Sequence, residues 1–116
     1  MKGKTPVTLW VEQRAIALDK DGYLKNLADW NERVADALAQ TEAIKLTDAH
    51  WQIINIVRQF YAETGLSPAT RPLINLIAEK AGAEKGKSIY LMRLFGGKPA
   101  LSVSRIAGLP RPANCF

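Results

Sequence analysis

Thr47-Asp48-Ala49-His50-Trp51-Gln52-Ile53-Ile54-Asn55-Ile56-Val57-Arg58-Gln59-Phe60-Tyr61-Ala62-Glu63-Thr64-Gly65 is the stretch that decides the fold. Its apolar residues Trp51, Ile53, Ile54, Ile56, Val57, Phe60 and Tyr61 recur at helical spacing. Gln52, Asn55, Gln59 and Glu63 form the one clear polar stripe. A helix with so narrow a polar face belongs at the centre of a core. Thr47 or Asp48 supplies its N-cap, and Thr64-Gly65 ends it.

Working outward, Ser67-Pro68 reads as an N-cap followed by proline at the first helical position. The helix it opens carries Leu73, Ile74, Leu76, Ile77 and Ala81 and stops at Gly82. Ser88 to Phe95 forms a further helix, closed by Gly96-Gly97-Lys98-Pro99. Upstream, Asp29 with Glu32 three residues later gives a capping box for a helix running to about Gln40. Val7-Thr8-Leu9-Trp10-Val11 and Ala15-Ile16-Ala17-Leu18 read as a hairpin joined by Glu12-Gln13-Arg14, with a turn at Asp21-Gly22. Ala100 to Ala107 can form a brief helix, but Gly108-Leu109-Pro110-Arg111-Pro112 cannot continue it. Residues 98–116 are therefore assigned to a flexible C-terminal arm, stiffened locally by Pro110 and Pro112, with Cys115 near its tip. The expected architecture is a single domain spanning 1–116, mostly α (α+β). It is an orthogonal helical bundle with a helix-turn-helix-like pair and a small N-terminal β-hairpin.

Composition bounds the function. A chain of 116 residues has room for one domain, and 47% hydrophobic with 23% charged residues is an ordinary globular balance. No apolar run approaches the roughly 20 residues of a membrane span. Met1 to Pro6 has a basic start without an apolar run, so a signal peptide is not expected and the chain is read as cytoplasmic. One cysteine excludes an internal disulfide, and one cysteine with one histidine excludes a Cys/His zinc cage. No metal site is therefore expected. Residues 1–50 carry seven Lys/Arg and eight Asp/Glu, a net of −1, whereas 51–116 carry nine and three, a net of +6. After Glu84 come Lys85, Lys87, Arg93, Lys98, Arg105 and Arg111 with no acid among them. Such a balance fits an anionic partner or a merely solvating surface.

Few constellations carry chemistry. Gly96-Gly97-Lys98 lacks the spacing of a phosphate loop. His50 has no second histidine and no triad partner, so it reads as structural or surface. The helix-turn-helix-like pair would suit DNA by charge, but its second helix offers only Arg71 and Asn75 as base readers, with Glu79 opposing phosphates. The other candidate is Cys115. A thiolate at a chain end is exposed and has Arg105 and Arg111 in its vicinity, although the terminal carboxylate opposes them. Such a thiol can be alkylated, form an intermolecular disulfide or carry one sulfur as a persulfide; an incidental cysteine in a tail would look the same.

The segment Ile106-Ala107-Gly108-Leu109-Pro110-Arg111-Pro112-x-x-Cys115 resembles the C-terminal signature of the TusE/DsrC family of sulfur-carrier proteins. Gly22-Tyr23-Leu24, Trp30, His50-Trp51, Val57-Arg58-x-Phe60-Tyr61, Ser67-Pro68-Ala69-x-Arg71 and Tyr90-Leu91-x-Arg93-Leu94-Phe95 fit the same pattern, from about Val7 to the end. The resemblance implies a mostly helical fold, a mobile arm and Cys115 as the sulfur-accepting thiol. DsrC proteins, partners of dissimilatory sulfite reductase, have a second cysteine eleven residues upstream, where this chain has Ser104. That difference points to the TusE-like branch. Resemblance to that branch implies a relay in tRNA 2-thiouridine synthesis, between a TusBCD-type donor complex and an MnmA-type thiouridylase bound to tRNA. A DsrC-like role beside sulfite reductase or in other sulfur metabolism is the alternative. No membrane partner and no small-molecule cofactor are expected. Gly108, Pro110 and Pro112 would shape the arm, and Arg93, Arg105 and Arg111 would steady it or an anionic persulfide.

Overall fold

Residues 7–113 are described by a computed structural model. The readings made on Met1 to Pro6 and on Cys115 lie outside the described residues. Strands β1 (Val7–Val11) and β2 (Arg14–Leu18) pair antiparallel, with Leu9 opposite Ile16 and Val11 opposite Arg14. The connection is therefore the two residues Glu12 and Gln13, and Arg14 belongs to the strand and not to the loop. Both loop residues adopt positive φ, 50° and 71°, as a tight turn matched to the strands' twist requires. Neither is a glycine or an asparagine, so the usual sign of such a turn is missing from the sequence. Val11, Ile16 and Leu18 face the core, while Trp10 is 68% exposed.

Helix α1 spans Glu32–Gln40 and is capped by Asn31, whose side chain accepts the Val34 N–H at 2.9 Å. Asp29, the expected cap, lies instead in a short 3-10 turn (Leu27–Asp29) held by Asn26. Helix α2 (Asp48–Thr64) begins at Thr47 and ends on Gly65, as its pattern predicts. Helix α3 (Thr70–Ala81) starts two residues later than Ser67-Pro68 suggested, with Ala69 in place of Ser67 as its N-cap residue. The reason is tertiary. Pro68 is buried, the Ser67 hydroxyl is directed at the Pro110 carbonyl, to which it donates at 2.6 Å, and α3 has no side-chain cap. Helix α4 covers Ser88–Phe95 as expected.

Helix α5 (Pro99–Ile106) departs most from the sequence reading. It packs against α1, α2, α3 and α4, and it rather than α2 is the hub of the bundle. Pro99, Ala100, Val103, Ser104 and Ile106 are buried on it, followed by Ala107 and Leu109. Small residues at 100, 104 and 107 let neighbouring helices approach closely, and Val103 and Ile106 fill the space between. The stretch 99–109, expected as the root of a flexible arm, is core. Among the described residues no helix is long and apolar enough to cross a membrane.

Candidate functional site

The site is built where α5 ends. The last carbonyls of any helix lack intrahelical partners and need others. Here the chain closes α5 on itself first: Gly108 N–H reaches the Arg105 carbonyl at 3.1 Å and Leu109 N–H reaches the Ser104 carbonyl at 2.9 Å. That pair of bonds is a Schellman turn, and Gly108 takes the left-handed conformation it needs, φ 74°. The remaining carbonyls are met from other elements. Trp30 Nε1–H donates to the Ile106 carbonyl at 2.9 Å, and Arg58 Nη1–H donates to the Ala107 carbonyl at 2.7 Å. The Arg58 guanidinium also lies 3.7 Å from the centre of the Trp30 ring, which in turn meets Trp51 edge-on at 6.5 Å. A cation at a helix C-terminus is electrostatically favoured, and the aromatic face adds to it. Burial lowers the Arg58 pKa from its ordinary value.

Gly108 is required for a second reason. A Cβ on it would sit 2.2 Å from Trp30 Cδ1. The chain thus turns back across the indole and leaves with Leu109 buried, Pro110 and Arg111 exposed, and Pro112 buried. Ser67 holds Pro110 as described, and Arg111 approaches the Asp21 carboxylate at 3.5 Å. Three residues beyond Pro112 stands Cys115.

The expected site residues separate into two groups. Gly108, Pro110, Arg111 and Pro112 come together at this exit. Arg105 is engaged elsewhere: its guanidinium pairs with Glu42, both side chains under a fifth exposed, and bonds Thr41 Oγ1 at 3.2 Å. Glu42 also accepts from Ser102 at 2.6 Å, so Arg105 ties α5 to the end of α1. Arg105 and Arg111 do share the wall of an open polar cleft of about 460 Å³ with Asp21, Glu42 and Lys98. Arg93 lies outside that cleft, exposed on α4. Trp30, Arg58 and Ser67, which hold the exit, have no role at this site in the sequence reading, which makes Ser67 a helix cap. Arg58 carries one legible signal: it continues the Trp51, Ile54 stripe, a cation on an otherwise apolar face.

His50 is structural. Its Nδ1 accepts the Thr47 N–H at 3.0 Å, which leaves Nε2–H to donate to the Leu94 carbonyl at 2.8 Å, and its ring meets Phe95 edge-on. Ser104 is fully buried, and its hydroxyl has no partner among the described residues. Arg71 and Asn75 are exposed on α3. No group of three His, Cys, Asp or Glu side chains suited to a metal ion occurs among the described residues.

Comparison with known proteins places this geometry. The family described as DsrC like protein matches residues 10–116. "Sulfurtransferase TusE homolog" of Haemophilus influenzae is 53% identical over 101 residues, covering 87% of this chain and 93% of that protein. "Sulfurtransferase TusE" of Photorhabdus laumondii is 49% identical over 110 residues, covering 95% and 99%. Among solved structures, DsrC of Allochromatium vinosum superposes with a TM-score of 0.87 at 43% identity, covering 97% of this chain and 100% of that one. The oxidized gamma-subunit of the dissimilatory sulfite reductase (DsrC) from Archaeoglobus fulgidus gives 0.82 at 34% identity, covering 95% and 100%. With the family match spanning nearly the whole sequence and the same fold beneath it, the chain belongs to the DsrC-like family.

Proposed function

We propose that this chain is a sulfur-relay protein that accepts a persulfide sulfur on Cys115 and passes it on in the thiolation of tRNA wobble uridine. The observation that carries the reading is the construction of the exit from α5. A Schellman turn and bonds from Trp30, Arg58 and Ser67 secure the chain up to Pro110, and the lone cysteine stands within five residues of it. A transferable group on a short lead from a rigid body suits a carrier that must enter the clefts of two different proteins. Relatives of nearly equal length bearing the name sulfurtransferase support the same reading.

The chemistry needs no cofactor. The Cys115 thiolate attacks the outer sulfur of a donor's cysteine persulfide. The donor's S–S bond breaks, its thiolate leaves, and a new S–S bond forms on Cys115, with no net oxidation or reduction. An acceptor thiolate repeats the exchange. A TusBCD-type complex as donor and an MnmA-type thiouridylase with its tRNA as acceptor complete the proposed cytoplasmic relay. Ser104 stands where a DsrC protein has its second cysteine, so the arm offers no intramolecular disulfide partner. That favours relay over the alternative role beside sulfite reductase.

The test is intact mass after incubation with a persulfide-loaded TusBCD-type donor. A gain of one sulfur atom, removed by reductant and absent in Cys115→Ser, is expected. Loading that persists in Cys115→Ser would overturn the assignment.

A further inference from the structure

We infer that the apolar groove between α3 and α4 is the docking surface for the sulfur donor, and that it takes a protein segment bearing an apolar side chain flanked by carboxylates. Naming the donor rests on the sulfur-carrier reading, whereas the chemistry of the groove is independent of it. Leu73, Ile74, Leu91, Met92 and Pro99 wall a cavity of about 340 Å³, and Lys98 is the one charged residue in its lining. The connection from α4 to α5 begins with Gly96-Gly97, which adds no side chain to close it. Met92 is 42% exposed, and Ile89, one turn before it on α4, is 58% exposed. Single exposed apolar residues are ordinary, but two of this size beside an apolar cavity form a patch that a partner gains by burying. Methionine also adapts its shape to what it meets.

The charges beside the groove have one sign. Arg71, Lys87 and Arg93 are exposed, and each adjoins a lining residue in the chain. Ion pairs among the described residues engage Arg14, Arg33, Arg105 and Arg111, and leave these three and Lys98 to solvent. No Asp or Glu lines the cavity. An apolar floor with a cationic border complements an acidic protein segment. Nucleic-acid phosphates would meet the cations but gain nothing from the walls, so a donor complex made of protein alone fits better than the tRNA of a loaded acceptor. Position gives the groove its role. Lys98 lines both this cavity and the polar cleft that holds Arg105 and Arg111. A partner seated against Lys98 therefore borders the exit of the chain from α5.

The experiment titrates a TusBCD-type complex, free of persulfide so that binding is separate from transfer, into the isotope-labelled full chain. Kd is measured for wild type, Met92→Ala, Lys98→Glu and a control, Lys45→Glu, which makes the same change of charge on an exposed lysine at a different cleft. Met92→Ala should weaken binding about fivefold or more, as loss of an interface anchor does. Lys98→Glu should weaken it about tenfold or more and flatten its salt dependence. Lys45→Glu, screened by salt, should cost about twofold at most. The amide signals of Met92, Gly97 and Lys98 should shift as donor is added. All three substituted side chains are exposed, and thermal melts report the fold separately. Wild-type affinity in Met92→Ala, or a Lys98→Glu no weaker than Lys45→Glu, would overturn the inference. So would groove signals that shift with tRNA alone or with the chain's own concentration, or signals of residues 114–116 that move in Met92→Ala; the occupant is then an RNA, a second copy or this chain's own end. If Cys115→Ser still loads sulfur, the carrier reading fails; if it does not load while the groove variants bind as wild type, only the docking surface fails.

Discussion

Replacing Gly108 by alanine tests the turn that ends α5, and the protein contains its own control. Gly108 and Gly65 have nearly the same φ, 74° and 72°, so an alanine at either site incurs a similar backbone penalty of about 1–2 kcal/mol. Their surroundings differ. Around Gly65 nothing lies within 4 Å of a new Cβ, whereas at Gly108 that atom meets Trp30 Cδ1 at 2.2 Å, Cγ at 2.5 Å and Cβ at 2.8 Å. Carbon atoms rest about 3.5–4 Å apart, so the indole must move by more than 1 Å. It cannot do so freely. It donates to Ile106, lies under Arg58 and packs on Trp51. Overpacking of this kind costs about 1–3 kcal/mol, and the strained Nε1–H bond adds up to about 1 kcal/mol. Gly108→Ala should therefore cost about 3–5 kcal/mol against about 1–2 kcal/mol for Gly65→Ala, in a chain whose whole stability is of order 10 kcal/mol. In thermal unfolding that is a drop of about 10–25 °C for Gly108→Ala and about 5–10 °C for Gly65→Ala. Equal losses at the two sites would refute the reasoning, because only the contact with Trp30 separates them.

Three further outcomes are expected in urea unfolding. Arg58→Met leaves the Ala107 carbonyl unpaired and should lose about 2–3 kcal/mol, while Arg58→Lys, unable to stack flat on Trp30, should recover only part of it. Ser104→Ala removes a buried hydroxyl with no partner among the described residues, so it should leave stability unchanged or raise it by about 1 kcal/mol; a loss above 1 kcal/mol would indicate that the hydroxyl is satisfied. Gln13→Gly relieves a left-handed residue in the hairpin turn and should raise stability by about 0.5–1 kcal/mol, with a fall counting against the turn geometry.

Much of the fold was legible because its signals are local. The apolar spacing from Trp51 to Tyr61, the Gly65 stop and the Ser88–Phe95 helix each depend on residues within a turn or two of one another. The misplaced boundaries share one cause. Asp29 and Ser67 are good caps by type, but capping is decided by which acceptor or donor is in place, and Asn31 and Pro110 are the partners that the fold provides. At the candidate site, Gly108, Pro110 and Pro112 were legible as a break in pattern. Trp30, Arg58 and Ser67 were not, because each acts on a carbonyl more than 40 residues away in sequence.

By itself the sequence determined the helical class, the hairpin, the family resemblance and the single thiol at the end of the chain. These are matters of composition, periodicity and motif, which do not depend on how the elements meet. Only the tertiary structure decided that α5 is the centre of the bundle. Eight residues with Ala100 and Ser104 between larger neighbours look weak as an isolated helix, and they become a core element only when four other helices cover them. The same packing sets where the anchored chain ends. Carbonyls left open at the end of α5 had to find donors, and long-range contacts with Trp30 and Arg58 supplied them.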